Sequence, residues 1–282
     1  MKILITGANG YIGSHVVSYF LEHTSYDIVA VDINNSFIDK RANFIYSNIF
    51  EEQENSFLYN KFGSPDVLIH LAWRNGFNHK EISHIVDLHK HYIFLKNMID
   101  SGLKSLSVMG SMHEIGYYEG AVNEQTPCNP LSLYGISKNA LRQSILAYTE
   151  GKDISVKWLR AYYIIGDNKR NKSIFSKILE LAEEGNKTFP FTMGTNKYDF
   201  ISIDELSKQI CEASIQTLYN GIINVCSGTP TSLKTMVEAF ITKNGLDIQP
   251  NYGSYPDRKY DSPAIWGDNT KIKMILQNNN LI

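Results

Sequence analysis

Residues 2–32 of the chain read KILITGANGYIGSHVVSYFLEHTSYDIVAVD, and this stretch predicts how the protein begins to fold. Residues 2–6 form a short apolar run rich in isoleucine, which is typical of a buried parallel strand. A glycine-rich turn follows, residues 14–22 have the pattern of an amphipathic helix, and a second apolar run over residues 26–31 ends at Asp32. This order of strand, turn, helix and strand predicts one βαβ unit of the dinucleotide-binding type.

The glycines of the turn stand where a bound dinucleotide requires them. Gly7 lets the chain turn sharply out of the strand, Gly10 keeps a Cβ away from the pyrophosphate, and Gly13 lets the helix pack close to the sheet. The helix N-terminus then offers unpaired N–H groups and a partial positive charge to the phosphates. The predicted cofactor contacts in this turn are Gly7, Asn9, Gly10, Tyr11, Ile12 and Gly13.

Asp32 closes the second strand about twenty residues after the glycines, where a carboxylate accepts hydrogen bonds from both hydroxyls of an adenosine ribose. NAD is favoured over NADP because this carboxylate would repel a 2′-phosphate. NADP stays open as the alternative, since an acid at this place does not always exclude it. Lys40 and Arg41 follow in a polar loop, where they either reach a 2′-phosphate or are simply solvated.

The composition is that of an ordinary soluble globular protein, with 282 residues of which 43% are hydrophobic and 20% charged. The net charge of −2 gives no reason to expect nucleic acid or an anionic membrane as a partner. No apolar stretch is long enough to span a bilayer and no signal peptide precedes the first strand, so we expect a cytoplasmic protein. The three cysteines lack disulfide or zinc spacing, which suits a reducing compartment.

The alternation of strands and helices continues along the chain. Strands are predicted over residues 43–47, 65–72 and 103–109, and helices over residues 50–62, 82–101 and 134–148. Because ligands bind outside the carboxyl ends of parallel strands, the turn that begins at residue 72 is expected beside the nicotinamide half of the cofactor. The predicted contacts there are Leu71, Ala72 and Trp73.

The helix predicted over residues 82–101 carries three histidines, His84, His89 and His91. No two of them have i,i+4 spacing, and no neighbouring cluster completes a metal ligand set. We therefore expect a helix face that is solvated or lies in a dimer interface, and we expect no metal in this protein.

Tyr134 and Lys138 lie four residues apart in the last of these helices, so their side chains share one helix face. A phenol with a pKa near 10 is a poor base at neutral pH, but a neighbouring ammonium and a nicotinamide cation would lower that pKa. Lys138 is also able to hold the cofactor ribose. Ser111, at the end of the preceding strand, is placed to hydrogen-bond the same substrate oxygen. We predict that these three residues are catalytic.

Together these motifs resemble the extended short-chain dehydrogenase/reductase family, the branch of sugar-nucleotide epimerases, dehydratases and ketoreductases. The motifs are TGANGYIG at 6–13, HLAW at 70–73, Ser111, and Tyr134-x-x-x-Lys138, followed by LRAYYIIG at 159–166, DFISIDE at 199–205 and NVCSG at 224–228. The resemblance implies an α/β fold with a Rossmann-type doubly wound parallel sheet over residues 1–160. A small mixed substrate-binding domain over residues 161–282, partly interleaved with the first, would complete it.

The same resemblance implies how the protein acts. The expected substrate is a nucleoside-diphosphate sugar, with hydride transfer at a sugar carbon and Tyr134 as the acid/base. A homodimer is implied through the two helices that follow Ile82 and begin at Tyr134. Arg258, in the segment DRKYD, resembles the arginine that contacts the nucleotide's diphosphate, a task suited to an arginine fork. The predicted substrate contacts are Arg74, Ser111, Met112, His113, Tyr134 and Arg258.

Departures from the subfamilies narrow the reaction. The 4,6-dehydratases carry Asp-Glu directly after the serine, where this chain has Met112 and His113, so we reject dehydration. In the related fucose synthases a cysteine base occupies the position of His113. An imidazole there either acts as acid or base, hydrogen-bonds the sugar, or fills space. The partner histidine of those synthases has no counterpart, since Asp167 and Asn168 follow Gly166, so a double epimerisation is not expected.

The leading hypothesis is an NAD(P)H-dependent 4-ketoreductase of a nucleoside-diphosphate 4-keto-6-deoxyhexose, in which Tyr134 protonates the oxygen at C4. Its product would be a 6-deoxysugar donor for surface polysaccharide. The alternative is a 4-epimerase that keeps NAD bound and returns the hydride to the opposite face of the sugar. The third hypothesis is a non-catalytic nucleotide-sensing module. The complete proton-transfer set of Ser111, Tyr134 and Lys138 argues against it.

Overall fold

The computed structural model describes residues 1–55, 57–166, 168–171, 173–256 and 261–279. The strands are β1 (Lys2–Thr6), β2 (Asp27–Asp32), β3 (Asn43–Tyr46), β4 (Val67–His70), β5 (Ser105–Ser111), β6 (Gly120–Val122), β7 (Ser155–Ala161), β8 (Tyr163–Ile165), β9 (Thr188–Pro190), β10 (Lys197–Ser202), β11 (Gly221–Val225), β12 (Pro230–Ser232), β13 (Gln249–Asn251) and β14 (Ala264–Gly267). The helices are α1 (Tyr11–His23), α2 (Leu58–Lys61), α3 (Ser83–Val86), α4 (Leu88–Asp100), α5 (Leu133–Thr149), α6 (Ile174–Glu183), α7 (Ile203–Ile215), α8 (Leu233–Lys243) and α9 (Thr270–Asn278).

The large sheet has the strand order β11-β7-β5-β4-β1-β2-β3, and each neighbouring pair in it is parallel. The chain winds outward in both directions from β1, so the order switches between β1 and β4. Ligands of doubly wound sheets bind in the crevice at such a switch, outside the carboxyl ends of the strands. The predicted Rossmann-type fold is confirmed.

Both faces of this sheet are covered, because alternate side chains of each strand point to opposite sides. On β1, Ile3 and Ile5 belong to one buried cluster, which also contains apolar residues of α1, α7 and α9. Leu4 belongs to the cluster on the other face, built with residues of α2, α4 and α5. The apolar runs of the sequence are therefore strands buried on both sides.

Two smaller sheets are formed largely by the later part of the chain. Strands β12, β10, β14 and β6 form a smaller sheet in that order, β8 also pairs with β10, and β9 pairs with β13. A third buried cluster, with Phe175, Phe200 and Ile265 among its members, lies in this part. Strand β11 returns to the edge of the large sheet beside β7. The division into domains at residue 160 stays a prediction.

The helix predicted over residues 50–62 was wrong over most of the described part of that range, where the structure has only α2. Two asparagine side chains hold the backbone in turns instead: Asn48 Oδ1 accepts from Phe50 N at 3.2 Å, and Asn55 Oδ1 accepts from Phe57 N at 2.9 Å. Such local hydrogen bonds compete with the helical pattern. Helix α1, in contrast, begins at Tyr11, three residues earlier than predicted.

The predicted helix over residues 82–101 is two helices, α3 and α4, which meet at Asp87. His84 and His91 are buried, so the prediction of a solvated or dimer-facing surface was wrong for them. His91 shares the inward face of α4 with Phe94 and Leu95, and it hydrogen-bonds His70 of β4 with 2.9 Å between Nδ1 and Nε2. Partners on another element, which sequence spacing does not show, compensate for burying the imidazoles.

Candidate active site

The glycine turn lies at the carboxyl end of β1 and is shaped by close backbone approach. Gly7 has a φ of +71°, and a Cβ built on it would lie 2.6 Å from the backbone nitrogen of Ala72. A Cβ on Gly13 would lie 2.1 Å from the carbonyl oxygen of Gly7. On Gly10 a Cβ would meet only that same oxygen, at 3.1 Å, so its other side is open. This cradle fits a dinucleotide pyrophosphate at the start of α1.

Gly13→Ala is expected to lower the free energy of unfolding by about 1–3 kcal/mol, because the new methyl group would overlap a backbone oxygen that cannot move independently. Gly76→Ala is the matched control, since a Cβ there would meet nothing within 4 Å. Denaturant unfolding of the two variants and the parent measures the effect. Equal stability of both variants would show that the turn tolerates a side chain at Gly13.

Asp32 is held at the carboxyl end of β2 by backbone hydrogen bonds. Its carboxylate accepts from Asn9 N at 2.9 Å and from Ile33 N at 2.7 Å. The side-chain oxygen of Asn9 accepts from Phe37 N at 2.7 Å, which ties the glycine turn to the loop after β2. In that loop, Arg41 forms an ion pair with Asp39, with 2.7 Å between Nη2 and Oδ2. The loop around Asp32 is therefore positioned before any ligand contacts it.

Ser111, Tyr134 and Lys138 come together at the carboxyl end of β5. Ser132 caps helix α5 by accepting from Gly135 N at 3.1 Å, which places Tyr134 in the first turn. A Cβ on Gly135 would lie 2.2 Å from the carbonyl oxygen of His113, so the glycine lets α5 approach the end of β5. The side chain of Ser111 lies near the phenol of Tyr134 and acts to lower its pKa. The fold thus brings together the serine and the tyrosine predicted from the sequence.

Lys138 follows Tyr134 by one turn of α5 and is 3% exposed. Its Nζ donates to the carbonyl oxygen of Met109 at 2.7 Å and lies 3.8 Å from the ring centroid of Trp73. Burial lowers the pKa of Lys138 to about 7, and the carboxylate of Glu114 acts in the opposite direction. The aromatic face of Trp73 favours the ammonium form at this place. The side chain of Trp73 thus contacts the lysine predicted to hold the cofactor ribose.

Burial raises the pKa of Tyr134 to about 12, the hydrogen bond from Ser111 opposes this rise, and the carboxylate of Glu114 adds to it. The sequence-based expectation was a lowered pKa with Lys138 as one cause. In the protein alone burial shifts the pKa in the opposite direction. The ammonium of Lys138 donates to a backbone carbonyl and lies 5.9 Å from the Tyr134 ring centroid. The phenol therefore retains its proton throughout the neutral range and is suited to act as an acid.

Two histidines that the sequence did not single out for this site pack around Tyr134. The His79 ring stacks on the phenol with 4.9 Å between centroids, and the carbonyl oxygen of His79 accepts from Tyr134 N at 3.2 Å. The His84 ring lies 5.2 Å from the phenol, and its Nδ1 accepts from Trp73 Nε1 at 3.0 Å. The segment after β4 therefore covers Tyr134. No local pattern marks these histidines, since their contacts depend on how the segment folds back.

His113 lies near the same tyrosine and contacts His79. Its ring lies 4.2 Å from that of His79 and 6.0 Å from that of Tyr134. Burial lowers the pKa of His113 to about 3, with His79 contributing in the same direction, so its imidazole is neutral at physiological pH. A neutral imidazole at this place can hydrogen-bond a sugar hydroxyl. Met112, beside it, is 7% exposed and packs into the third buried cluster.

Glu114 anchors the turn that carries these residues, and it is 0% exposed. Its Oε1 accepts from Ser111 N at 2.6 Å, which completes a capping box with the Ser111 side chain. Both carboxylate oxygens accept from Trp158 Nε1, at 2.9 and 3.0 Å, and Arg160 Nη2 lies 3.4 Å from Oε2. The spacing S-x-x-E is the sequence signal that would have found this role.

The remaining predicted contacts differ in their placement. Arg74 hydrogen-bonds the buried carboxylate of Asp87, with 2.7 Å between Nε and Oδ2, so its role toward a substrate stays a prediction. Leu71 continues the register of β4 by donating its N–H to Thr6 O at 3.0 Å. Arg258 lies outside the described residues. Among the described residues, no group of three or more His, Cys, Asp or Glu side chains is arranged to hold a metal ion.

A family model for the NAD dependent epimerase/dehydratase family matches residues 3–226. The chain is 43% identical over 275 residues to the dTDP-6-deoxy-L-talose 4-dehydrogenase (NAD(+)) of Aggregatibacter actinomycetemcomitans, covering 95% of this chain and 99% of that protein. Two solved structures share the fold. The UDP-N-acetylglucosamine 4-epimerase of Methanobrevibacter ruminantium M1, with UDP-N-acetylmuramic acid, has a TM-score of 0.83 at 18% identity, covering 97% of this chain and 91% of its own.

The second is the UDP-glucuronic acid 4-epimerase of Bacillus cereus, in complex with UDP-glucuronic acid and NAD. It has a TM-score of 0.80 at 24% identity and covers 98% of this chain and 93% of its own. The family match and the extent of the 43% identity agree with each other. The chain is an enzyme of the NAD dependent epimerase/dehydratase family, the extended branch of the short-chain dehydrogenases/reductases.

Proposed function

We propose that the protein is a 4-ketoreductase that reduces a dTDP-linked 4-keto-6-deoxyhexose and forms a 6-deoxytalose nucleotide, a reaction that runs as a 4-dehydrogenation in reverse. The observation that carries the proposal is the 43% identity, over nearly the full length of both chains, to the dTDP-6-deoxy-L-talose 4-dehydrogenase. The thymidine nucleotide and the talose configuration come from that relative alone. The product would serve as a deoxysugar donor for polysaccharide.

The side chains at the end of β5 have the properties that ketoreduction needs. Hydride for C4 is the chemistry that the bound nicotinamide supplies. Tyr134, whose pKa is raised to about 12 by burial, holds a proton for the oxygen at C4. Ser111 is placed to hydrogen-bond the same oxygen. Lys138 would hold the ribose of the cofactor, and the neutral imidazole of His113 would contact the sugar.

NAD(H) is the proposed cofactor, and NADP(H) is the alternative. The carboxylate of Asp32, directed by the N–H groups of Asn9 and Ile33, would accept the ribose hydroxyls and would repel a 2′-phosphate. Arg41, which was the candidate for that phosphate, pairs with Asp39. The residues that we propose to bind the adenosine half of the cofactor are those of the glycine turn and Asp32.

The decisive experiment follows absorbance at the reduced-nicotinamide band with purified enzyme, a dTDP-4-keto-6-deoxyhexose, and NADH or NADPH. Loss of absorbance in proportion to the sugar nucleotide, faster with NADH than with NADPH, is the expected result. The corresponding UDP and GDP sugars are the matched controls for the nucleotide. If NADPH is consumed faster, the proposed role of Asp32 is wrong while the reductase proposal stands.

A 4-epimerase is the second candidate, favoured by the fold shared with two solved 4-epimerases. An epimerase would leave free NADH unchanged, release NAD when the protein is denatured, and convert a 4-hydroxy sugar nucleotide into its 4-epimer on chromatography. Binding of cofactor without turnover of any sugar nucleotide would instead support the nucleotide-sensing module.

We also propose a cytoplasmic homodimer that contacts itself through α4 and α5. Three apolar side chains on the neighbouring surface support this proposal: Ile85, Val86 and Ile136 are 39%, 50% and 42% exposed.

None of the helices that the structure describes combines the length and apolar character that crossing a bilayer requires. The cysteines are free thiols.

A further inference from the structure

Arg170 contacts the glycine turn from a distant part of the sequence. It lies in the short 3-10 turn Lys169–Asn171, between β8 and α6. Its Nη2 donates to the carbonyl oxygen of Asn9 at 2.9 Å, and its Nη1 donates to Ser14 Oγ at 3.4 Å. Its Cζ lies 3.6 Å from the ring centroid of Phe37. One guanidinium therefore joins the turn, the first turn of α1 and the loop after β2.

The electrostatics of this place favour an anion. The N-terminus of α1 carries a partial positive charge, and the first turn of the helix contains no acidic residue. The helix dipole therefore opposes a guanidinium beside Ser14, whereas a pyrophosphate is attracted to the helix and to the guanidinium together. This arrangement points to an anionic ligand that Arg170 and α1 share.

We propose that Arg170 binds the adenosine diphosphate half of NAD, as a residue supplied from outside the βαβ unit. Its planar fork suits phosphate oxygens, and its stacking on Phe37 fixes the plane of the guanidinium beside the adenosine side of the site. The inference rests on NAD binding, which the family shares, and not on the sugar reaction proposed above.

The arginine is also connected to the substrate side of the protein. The backbone N–H of Arg170 donates to Asn168 Oδ1 at 2.9 Å, and the carbonyl oxygen of Asn168 accepts from Ser176 Oγ at 2.9 Å. Ser176 lies in α6, whose Phe175 is buried in the third cluster. Arg170 therefore links the glycine turn to α6, a helix that packs into the third buried cluster.

The test is calorimetric titration of the full-length protein with NADH and, separately, with ADP-ribose. Arg170→Ala is expected to weaken both ligands equally, by about ten- to a hundredfold in Kd, since it removes charge-assisted hydrogen bonds. Arg170→Lys keeps the charge but loses the planar fork. Its Kd for each ligand should therefore lie between that of Arg170→Ala and that of the parent. A loss for NADH without a loss for ADP-ribose would place Arg170 elsewhere and overturn the proposal.

Lys169→Ala is the matched control, because it removes the same charge from the neighbouring residue. Lys169 pairs with Glu183 at the surface, so its replacement should leave both affinities unchanged. Affinity of Arg170→Ala equal to the parent, or an equal loss in Lys169→Ala, would overturn the proposal. If Arg170→Ala does not fold, the comparison of Arg170→Lys with Lys169→Ala decides. The titrations contain no sugar nucleotide, so failure of the proposed ketoreductase reaction leaves their outcome intact.

Discussion

Tyr134→Phe is expected to lower kcat for reduction of the 4-keto sugar nucleotide by about a hundredfold or more, the usual contribution of a positioned general acid. Only the hydroxyl is lost, so the ring that stacks on His79 and packs near Trp73 remains. Affinity for NADH should therefore change little. The measurement combines steady-state consumption of NADH with titration of each ligand.

Tyr117→Phe provides the control, since Tyr117 is 54% exposed and lies outside the site. It should retain the activity of the parent. Undiminished turnover in Tyr134→Phe would remove the phenol from the mechanism and leave the proton to another donor. A large loss of NADH affinity would indicate that the hydroxyl serves binding instead of proton transfer.

Glu114→Ala is expected to cost about 3–5 kcal/mol of unfolding free energy, the largest stability effect that we predict. Removing the carboxylate leaves the buried guanidinium of Arg160, the indole N–H of Trp158 and the backbone N–H of Ser111 without their common acceptor. A buried charge without its partner is far more costly than a lost surface ion pair. Denaturant unfolding, followed by circular dichroism, measures the loss.

Glu114→Gln keeps the shape and one acceptor oxygen, so its expected loss is smaller, about 1–3 kcal/mol. It also provides a soluble variant if the alanine does not fold. Glu119→Ala, at an exposed glutamate of the same segment, should change stability by no more than about 0.5 kcal/mol. Equal losses in Glu114→Ala and Glu119→Ala would contradict the assigned role of the buried carboxylate.

Much of the fold was accessible from local patterns. The run over residues 2–6, the glycine spacing and Asp32 predicted the first βαβ unit, because backbone geometry and burial on two faces leave a periodic signature. The wrong prediction over residues 50–62 has an equally local cause. Asn48 and Asn55 hold turns where a helix was predicted, and hydrophobic periodicity does not report side-chain hydrogen bonds to the backbone.

The sequence by itself determined the residue types of the site: a glycine turn before a helix, an acid at the end of a strand, and Tyr134 one turn before Lys138. These relations span a few residues, or a single supersecondary unit, so helix and strand geometry determine them. Only the tertiary structure decided that His79 covers Tyr134 and that Arg170 contacts Asn9, which is 161 residues away in the chain. Those contacts, and the burial that raises the pKa of Tyr134, depend on which elements the strand order brings together. The hydrophobic periodicity of a single segment carries no information about that order.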